Sequence, residues 1–124
     1  VIRVGGDIGE RAGDRMRRGT IVVKGKTGAA TGSRMSGGTI WAEGGFGPGA
    51  GPLMRRGTLI GPKAEQMLAT FADCGEQDMV FLRLISRFVA AELGPLAPPP
   101  LPARVRRYAG DLATIGKGEL LLTG

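Results

Sequence analysis

Short apolar runs recur along the first half of the chain at a fixed interval. Each run begins with a threonine that follows a glycine, and the runs cover residues 20–23, 39–42 and 58–60. Runs of this length that are rich in β-branched residues are typical of strands. The glycine-rich segments between them lack the apolar stripe of an amphipathic helix. The pattern therefore predicts three similar strands joined by tight glycine corners.

These runs belong to a repeat of 19 residues that occurs three times between Gly5 and Gly61 without insertion or deletion. Identical residues recur at equivalent positions, which gives the ladders Gly9/Gly28/Gly47, Gly13/Gly32/Gly51, Met16/Met35/Met54, Gly19/Gly38/Gly57, Thr20/Thr39/Thr58 and Gly6/Gly25/Gly44. A fixed period of about twenty residues is the signature of a solenoid, in which each unit stacks on the next. Equivalent side chains should then lie above one another at about 4.8 Å, the spacing of paired strands.

The sequence thus predicts a mainly β fold, namely a right-handed parallel β-helix, a single-stranded solenoid with 19-residue coils, plus one C-terminal α-helix. The residues expected inside the coils are Ile21, Ile40, Leu59, Val23 and Ala42, with the three methionines as adaptable filler. Arg17, Arg18, Arg55 and Arg56 are expected outside. Stacked arginines repel one another, so they should be solvated or face an acidic partner.

The second half of the chain lacks the repeat. We predict glycine-rich β-helix repeats over residues 1–62 and a C-terminal extension over 63–124. Within the extension we expect a strand or a short helix at 66–71, with the strand favoured, a turn at 73–75 and a helix over 79–93 with Asp78 as its N-cap. A proline-rich connector over 95–102 should lead to a tail, 103–124, that returns to pair beside the repeats and covers an open β edge.

The start of the chain also bears on the repeat. Val1 lies on what would be the last strand of an earlier coil, because residues 1–4 precede residues 20–23 by one period. This arrangement suggests a piece of a longer protein, and the alternative is a natural short form with a processed start. How many coils precede Val1 is left open.

Composition narrows the class of protein. Seventeen of the 23 glycines precede Lys63, but they have no three-residue period, which excludes collagen. The formal charge is +6 with 13 arginines, and a basic chain is expected to meet acidic partners. Few aromatic residues and no nucleic-acid motif make a basic face against other subunits, or a solvated surface, the favoured interpretation over nucleic-acid binding. No apolar stretch is long enough to span a membrane, and the lone Cys74 fits a reducing, cytoplasmic compartment.

Candidate chemistry in the sequence is weak. The chain has no histidine, which removes the commonest general base and most zinc sites. The segment 25–27 resembles the end of a phosphate-binding loop, but its glycine spacing is wrong, so a repeat corner is the favoured interpretation. Asp7, Glu10 and Asp14 could hold a cation, yet the later units do not repeat them and a solvated turn is favoured. Cys74 is expected to be an inert small residue.

One aromatic side chain is a candidate for a partner surface. Trp41 follows the interior position Ile40 on a predicted strand, so it should point to the opposite side. Exposed aromatic residues are enriched where proteins meet partners. The sequence therefore adds Trp41 to Arg17, Arg18, Arg55 and Arg56 as candidate partner-surface residues, and we predict no catalytic, cofactor-binding or metal-binding residues in this chain.

Two blocks of the chain carry a resemblance to known proteins. The first is the segment 6–23 with its two later copies, and the second is 107–113 followed by 116–119. Together they resemble the glycine-rich β-helix domain in the C subunit of formylmethanofuran dehydrogenase and, more closely, the C subunit of the bacterial formyltransferase/hydrolase complex. The same domain type is found at the end of the large subunit of glutamate synthase, but no counterpart of the second block is known there.

The resemblance implies a scaffold subunit in a complex of one-carbon metabolism and formaldehyde oxidation that handles the formyl group on methanofuran-type carriers. It implies that chemistry, and any zinc or molybdenum or tungsten pterin, belongs to partner subunits. Which of the two complexes applies is left open. The alternatives are a glutamate-synthase-type structural domain and a basic binding module for an acidic polymer, such as nucleic acid.

Overall fold

A computed structural model describes the whole chain, Val1–Gly124. It contains seven strands and one α-helix, which in chain order are β1 (Ile2–Val4), β2 (Thr20–Val23), β3 (Ser36–Ala42), β4 (Arg56–Gly61), β5 (Ala72–Asp78), α1 (Val80–Leu93), β6 (Arg104–Gly110) and β7 (Lys117–Leu122). A short 3-10 turn, Gly94–Leu96, follows the helix. All strands join one sheet in the order β1-β2-β3-β4-β7-β6-β5.

The repeat half of the sheet is parallel and keeps the 19-residue register. Ile21 lies beside Ile40, and Ile40 lies beside Leu59. The glycine-rich corners stack as well, because the N–H of Arg15 donates to the carbonyl of Ser33 at 2.8 Å and the equivalent N–H of Arg34 donates to the carbonyl of Pro52 at 2.8 Å. Each unit therefore hydrogen-bonds to the next along both its strand and its corner.

The layer above the third unit is assembled from two separate segments. The corner continues through residues 62–66, where the N–H of Phe46 donates to the carbonyl of Lys63 at 2.9 Å. The chain then leaves, and its returning tail supplies the strand, since β7 pairs in parallel with β4 and sets Gly118 beside Gly57. The prediction that the tail returns to cover the β edge of the repeats is confirmed.

Two apolar clusters lie on opposite faces of the sheet. The first, beneath the glycine corners, contains Val23, Met35, Ile40, Ala42, Phe46, Ala50, Met54, Leu59, Phe71 and Leu120, with Ile21 and Met16 packed against it. The predicted interior residues are therefore confirmed. The second cluster joins the other face of the sheet to α1 and contains Val22, Trp41, Ile60, Leu82, Ile85, Val89, Val105 and Leu121.

The predicted fold class is confirmed in its coarser part. The chain is mainly β with one α-helix. The sheet is mixed, however, because β6 pairs antiparallel with both β5 and β7, and β1 and β5 are its two edges. It therefore remains an open sheet whose parallel half carries the repeat.

Several local predictions for the extension are wrong. Residues 66–71 form neither a strand nor a helix but an irregular turn that inserts Phe71 into the first cluster. The turn expected at 73–75 is present, since the Gly75 N–H donates to Asp73 Oδ1 at 2.8 Å, but it lies inside β5, where the register shifts between Asp73 and Glu76. Helix α1 begins after Met79, which makes no side-chain cap, and Asp78 instead pairs with Arg104 at 3.4 Å. The helix ends at Leu93, as predicted, with Gly94 as its C-cap.

Helix α1 is shorter than a helix that spans a membrane. With residues Val80–Leu93 it is the longest helix of the chain, and no helix has the length and apolar character needed to cross a bilayer.

Candidate interaction surface

The glycine ladders set how closely the units approach. A Cβ built on Gly28 would lie 2.7 Å from the backbone carbon of Gly9, and one on Gly47 would lie 2.5 Å from the carbonyl oxygen of Gly28. Real side chains do not tolerate such contacts with backbone, so these positions must be glycine if the corners are to touch. The ladder therefore brings neighbouring corners into direct backbone contact, and side chains elsewhere in each corner line up one above another.

The methionine ladder fills the space beside a second glycine ladder. A Cβ on Gly38 would lie 2.9 Å from the Met16 methyl carbon, and one on Gly57 would lie 2.9 Å from the Met35 methyl carbon. The main chains are stacked too, since the Met16 carbonyl accepts from Ser36 at 2.8 Å and the Met35 carbonyl accepts from Arg55 at 2.8 Å. The methionines thus form the predicted common column.

The arginine positions lie on the outside of the same stack. Arg17, Arg18, Arg55 and Arg56 are all exposed, as expected. Two further exposed arginines that the sequence did not single out, Arg15 and Arg34, occupy equivalent positions of the first and second units. The stacking gathers four of these six arginines in an open groove of about 460 Å³, here called the arginine groove. The groove is lined by Arg15, Arg17, Arg34, Ser36, Leu53, Arg55 and Thr114.

No acidic side chain forms an ion pair with the groove arginines. The ion pairs of the chain lie elsewhere and join Arg3 to Glu43, Lys26 to Glu65, Arg104 to Glu76 and Asp78, Arg106 to Asp73, and Arg107 to Glu119. The arginine groove therefore carries positive charges that are not paired with any carboxylate of the chain.

One carboxylate near the groove, that of Asp111, accepts hydrogen bonds that stabilise the fold. Asp111 is buried, and its Oδ2 accepts from the Leu53 N–H at 2.8 Å while its Oδ1 accepts from the Ala113 N–H at 2.9 Å. Desolvation alone would raise the pKa of Asp111, but hydrogen bonds from Thr70, Ala113 and Leu53 favour the carboxylate and lower the pKa below its usual value. In the lower units a backbone carbonyl accepts the N–H equivalent to that of Leu53, so Asp111 stands in for the missing backbone of a further unit.

A second ionic contact joins the returning strands to the repeat. Arg107 donates to Glu119 at 2.9 Å, and Thr58 donates to the other oxygen of the same carboxylate at 3.1 Å. The hydrogen bond from Arg107 to Glu119, opposed by desolvation, raises the pKa of Arg107. This pair links β6, β7 and β4, and it is consistent with a structural role.

The remaining candidate residues do not form a common site. No three His, Cys, Asp or Glu side chains come together anywhere in the chain. Asp7 accepts from the backbone N–H of Lys26 at 2.8 Å, while Glu10 and Asp14 are exposed. Thr27 is buried in its corner, in line with the interpretation of that segment as a repeat corner.

Cys74 lies exposed on the edge strand β5. Its thiol is free, and its sulfur lies 3.5 Å from a guanidinium nitrogen of Arg107.

The expectation that Trp41 lies on an exposed face is wrong. It does point away from Ile40, but α1 covers that side of the sheet, and Trp41 is only 3% exposed within the second cluster. Periodicity gave the correct side of the strand and no information about what covers it.

Sequence reasoning missed Arg15, Arg34 and Asp111. The two arginines are spaced by one period and could have been found from the ladder itself. Asp111 lies in the second block of the resemblance, but its role could not be found there, because its partners, Leu53 and Thr70, are distant in sequence.

Comparison with known proteins points to one complex. The chain is 45% identical over 56 residues to the C subunit of the formyltransferase/hydrolase complex (Fhc) of Methylorubrum extorquens. It also superposes on a chain of the crystal structure of that organism's FhcABCD complex with methylofuran, with a TM-score of 0.84 and 42% identity over 98% of its own length. No family model matches the chain.

The match covers only part of each relative. It spans 21% of the length of the Fhc C subunit and 45% of the crystallographic chain. The chain is thus similar to the C subunit of the formyltransferase/hydrolase complex, as the resemblance implied, and it spans less than half of the length of the relatives it matches.

Proposed function

We propose that this chain is a scaffold component of a formyltransferase/hydrolase complex, in which it holds other subunits and contributes no catalytic group. The observation that carries the proposal is the structural match to a chain of FhcABCD, with a TM-score of 0.84 over 98% of the chain at 42% identity. We take similarity at this level of identity as support for a shared type of assembly as well as a shared fold.

The hydrogen bonds made by the buried and half-buried carboxylates support a structural role for the chain. Asp111 serves the backbone of the third unit, and Glu119 joins β7 to Thr58 and Arg107. Both ionisable groups with perturbed pKa values in the body of the fold, Asp111 and Arg107, owe the shift to such structural contacts. Perturbed groups can mark active sites, but structural networks perturb them as well.

In this proposal the parallel half is a section of a β-helix whose regular stack presents side chains at fixed spacing. The complex would move a formyl group between a tetrahydromethanopterin-type carrier and a methanofuran-type carrier and release formate. Any metal would lie in the partner subunits. We take the formyltransferase/hydrolase complex rather than formylmethanofuran dehydrogenase, because the relatives found carry the former name. We place the assembly in the cytoplasm, where the exposed thiol of Cys74 would stay reduced.

Reconstitution tests the proposal. The chain is co-expressed with the A, B and D subunits of its own genome, and the purified material is assayed for assembly, formyl transfer and formate release. We expect the chain to enter a complex of defined stoichiometry that releases formate, and the chain alone to release none. The proposal fails if the chain stays outside the complex when all partners are present, or if it releases formate by itself.

A further inference from the structure

The arginine groove is built by the repeat and crosses three units. Arg15 and Arg34 lie in adjacent units, and Arg17 and Arg55 lie two units apart with Ser36 between them. At about 4.8 Å per layer the groove is therefore about 10 Å long along the stack. Four guanidinium groups within this span, none of them paired with an acidic side chain, create a concentrated positive potential.

Two of these arginines occupy unfavourable backbone conformations. Arg15 has φ +57° and Arg34 has φ +53°, in the left-handed region that costs a residue with a Cβ roughly 1–2 kcal/mol. Glycine meets the same demand in this repeat at Gly13, Gly19 and their equivalents. Glycine could therefore replace arginine at positions 15 and 34 without harm to the backbone, and Leu53, the equivalent residue of the third unit, has the same conformation with φ +56°.

The middle unit leaves the groove open. Where the first and third units carry Arg-Arg, the second carries Ser36 and Gly37, and a Cβ on Gly37 would lie 2.2 Å from the carbonyl oxygen of Arg17. Ser36 is the residue of the second unit that lies between Arg17 and Arg55, and its short side chain leaves space there for a ligand. The gap also separates those two charges, which reduces their mutual repulsion.

The donor set of the groove favours carboxylates. Phosphate sites usually offer backbone N–H groups, but here the N–H groups of Arg15, Arg34, Ser36 and Arg55 all donate to backbone carbonyls of the neighbouring unit. Single-stranded nucleic acid is usually held by aromatic stacking, and no aromatic side chain lines the groove. Guanidinium groups pair with carboxylates and phosphates alike, so the preference for carboxylates rests on the lack of free backbone N–H groups and of aromatic rings in the groove.

We infer that the arginine groove is the docking surface for an acidic segment of a partner protein, whose Asp and Glu side chains pair with Arg15, Arg17, Arg34 and Arg55. The occupant is a peptide chain with several carboxylates spaced along it, which matches the spacing of charges along the stack. This inference goes beyond the proposed function, because it concerns one surface and holds for any complex that the chain joins.

A pair of matched double variants tests the docking surface. Arg15→Gly with Arg34→Gly removes two groove charges and suits the left-handed backbone, so the fold should be kept. Arg83→Gln with Arg87→Gln removes the same charge from the exposed side of α1. Binding of a fluorescent peptide rich in Asp and Glu, of inorganic pyrophosphate and of a DNA oligonucleotide is measured for the chain and both variants, and circular dichroism checks folding.

We expect the acidic peptide to bind in a salt-dependent manner, and the groove variant to weaken its binding by about tenfold, as two exposed charge pairs would. The helix variant should bind like the unchanged chain. Equal loss in both variants, no loss in either, or tighter binding of pyrophosphate or DNA than of the peptide would each overturn the inference.

A second readout separates this inference from the proposed function. Each variant is co-expressed with the A, B and D subunits, and the amount of assembled complex is compared. Full assembly of the groove variant overturns the docking surface and leaves the scaffold role intact. Peptide binding that depends on the groove, in a chain that never joins those subunits, upholds the docking surface and rejects the proposed complex.

Discussion

The repeat half and the returning half of the chain contribute to one sheet through different kinds of contact. In β1 to β4 the strands pair residues with their equivalents one period away, as Ile21 does with Ile40. In the returning half, β7 reaches β4 only after the chain has formed β5, α1 and β6, and Thr58 then bonds to Glu119. The repeated units are therefore held by the same contact made several times, whereas the returning half depends on single residues without equivalents.

Those single residues substitute for parts of the repeat. In the first two units the space beside Gly13 and Gly32 is filled by Ile40 and Leu59 of the next strand. Beside Gly51 the same space is filled by the ring of Phe71, 2.7 Å from a built Cβ. Asp111 similarly replaces a backbone carbonyl. The end of the stack is thus completed by side chains that imitate a further unit.

The largest effect is expected where the two halves share a core. Replacing Trp41 with alanine should destabilise the chain by about 4 kcal/mol, since it removes a large side chain buried between the sheet and α1. Denaturant unfolding gives the value. Phe88→Ala, at an apolar position of α1 that is 46% exposed, is the control and should cost far less. A small effect of Trp41→Ala would mean that α1 does not cover this face.

Glycine substitutions test the close stacking of the repeat. Gly47→Ala should cost about 3 kcal/mol, because its Cβ would meet the backbone of Gly28, which cannot move aside. Gly9 belongs to the same ladder but has no atom within 4 Å of a built Cβ, so Gly9→Ala should be tolerated. Thermal unfolding of both variants measures the difference. Equal costs would contradict the stacking of the corners.

The junction between the halves is tested at Asp111. Asp111→Asn should cost about 2 kcal/mol, because the two oxygens accept from different N–H groups and an amide can serve only one of them. Chemical denaturation at neutral pH measures this loss. Asp14→Asn, at an exposed position, is the control and should leave stability nearly unchanged.

The same carboxyl makes stability depend on pH. Since folding lowers the pKa of Asp111, the unfolded chain binds this proton more tightly than the folded chain. The stabilisation is therefore complete above the ordinary Asp pKa of about 4 and is lost as pH falls through the lowered folded value. Stability of the Asp111→Asn variant should fall less steeply across this acid range than that of the unchanged chain. An identical acid slope would show that Asp111 is not the group concerned.

The smallest effect is expected at Leu53, which has φ +56° and is 45% exposed. Leu53→Gly should relieve left-handed strain but increase the entropy of the unfolded chain, for a net gain below about 1 kcal/mol. The melting temperature should rise slightly. A clear loss would indicate that the leucine side chain contributes packing at the edge of the arginine groove.

The arginine groove could have been predicted in part. The 19-residue period places Arg15 with Arg34 and Arg17 with Arg55 on the outside of the stack. The open groove between them depends on how the corners stack around Ser36 and Thr114, and the lack of acidic neighbours depends on where the distant carboxylates fold. These features required the tertiary structure, because no spacing in the sequence reports them.

What the sequence by itself determined is the stack: the register of β2 to β4, the inward positions of Ile40 and Leu59, and the methionine column. It did so because each unit packs against a copy of itself, so that residues one period apart in the sequence are neighbours in the stack. Only the tertiary structure decided the cover over Trp41, the insertion of Phe71 and the role of Asp111. Those contacts join residues that share no pattern, and they depend on the path that the chain takes between Gly61 and Lys117 before it returns.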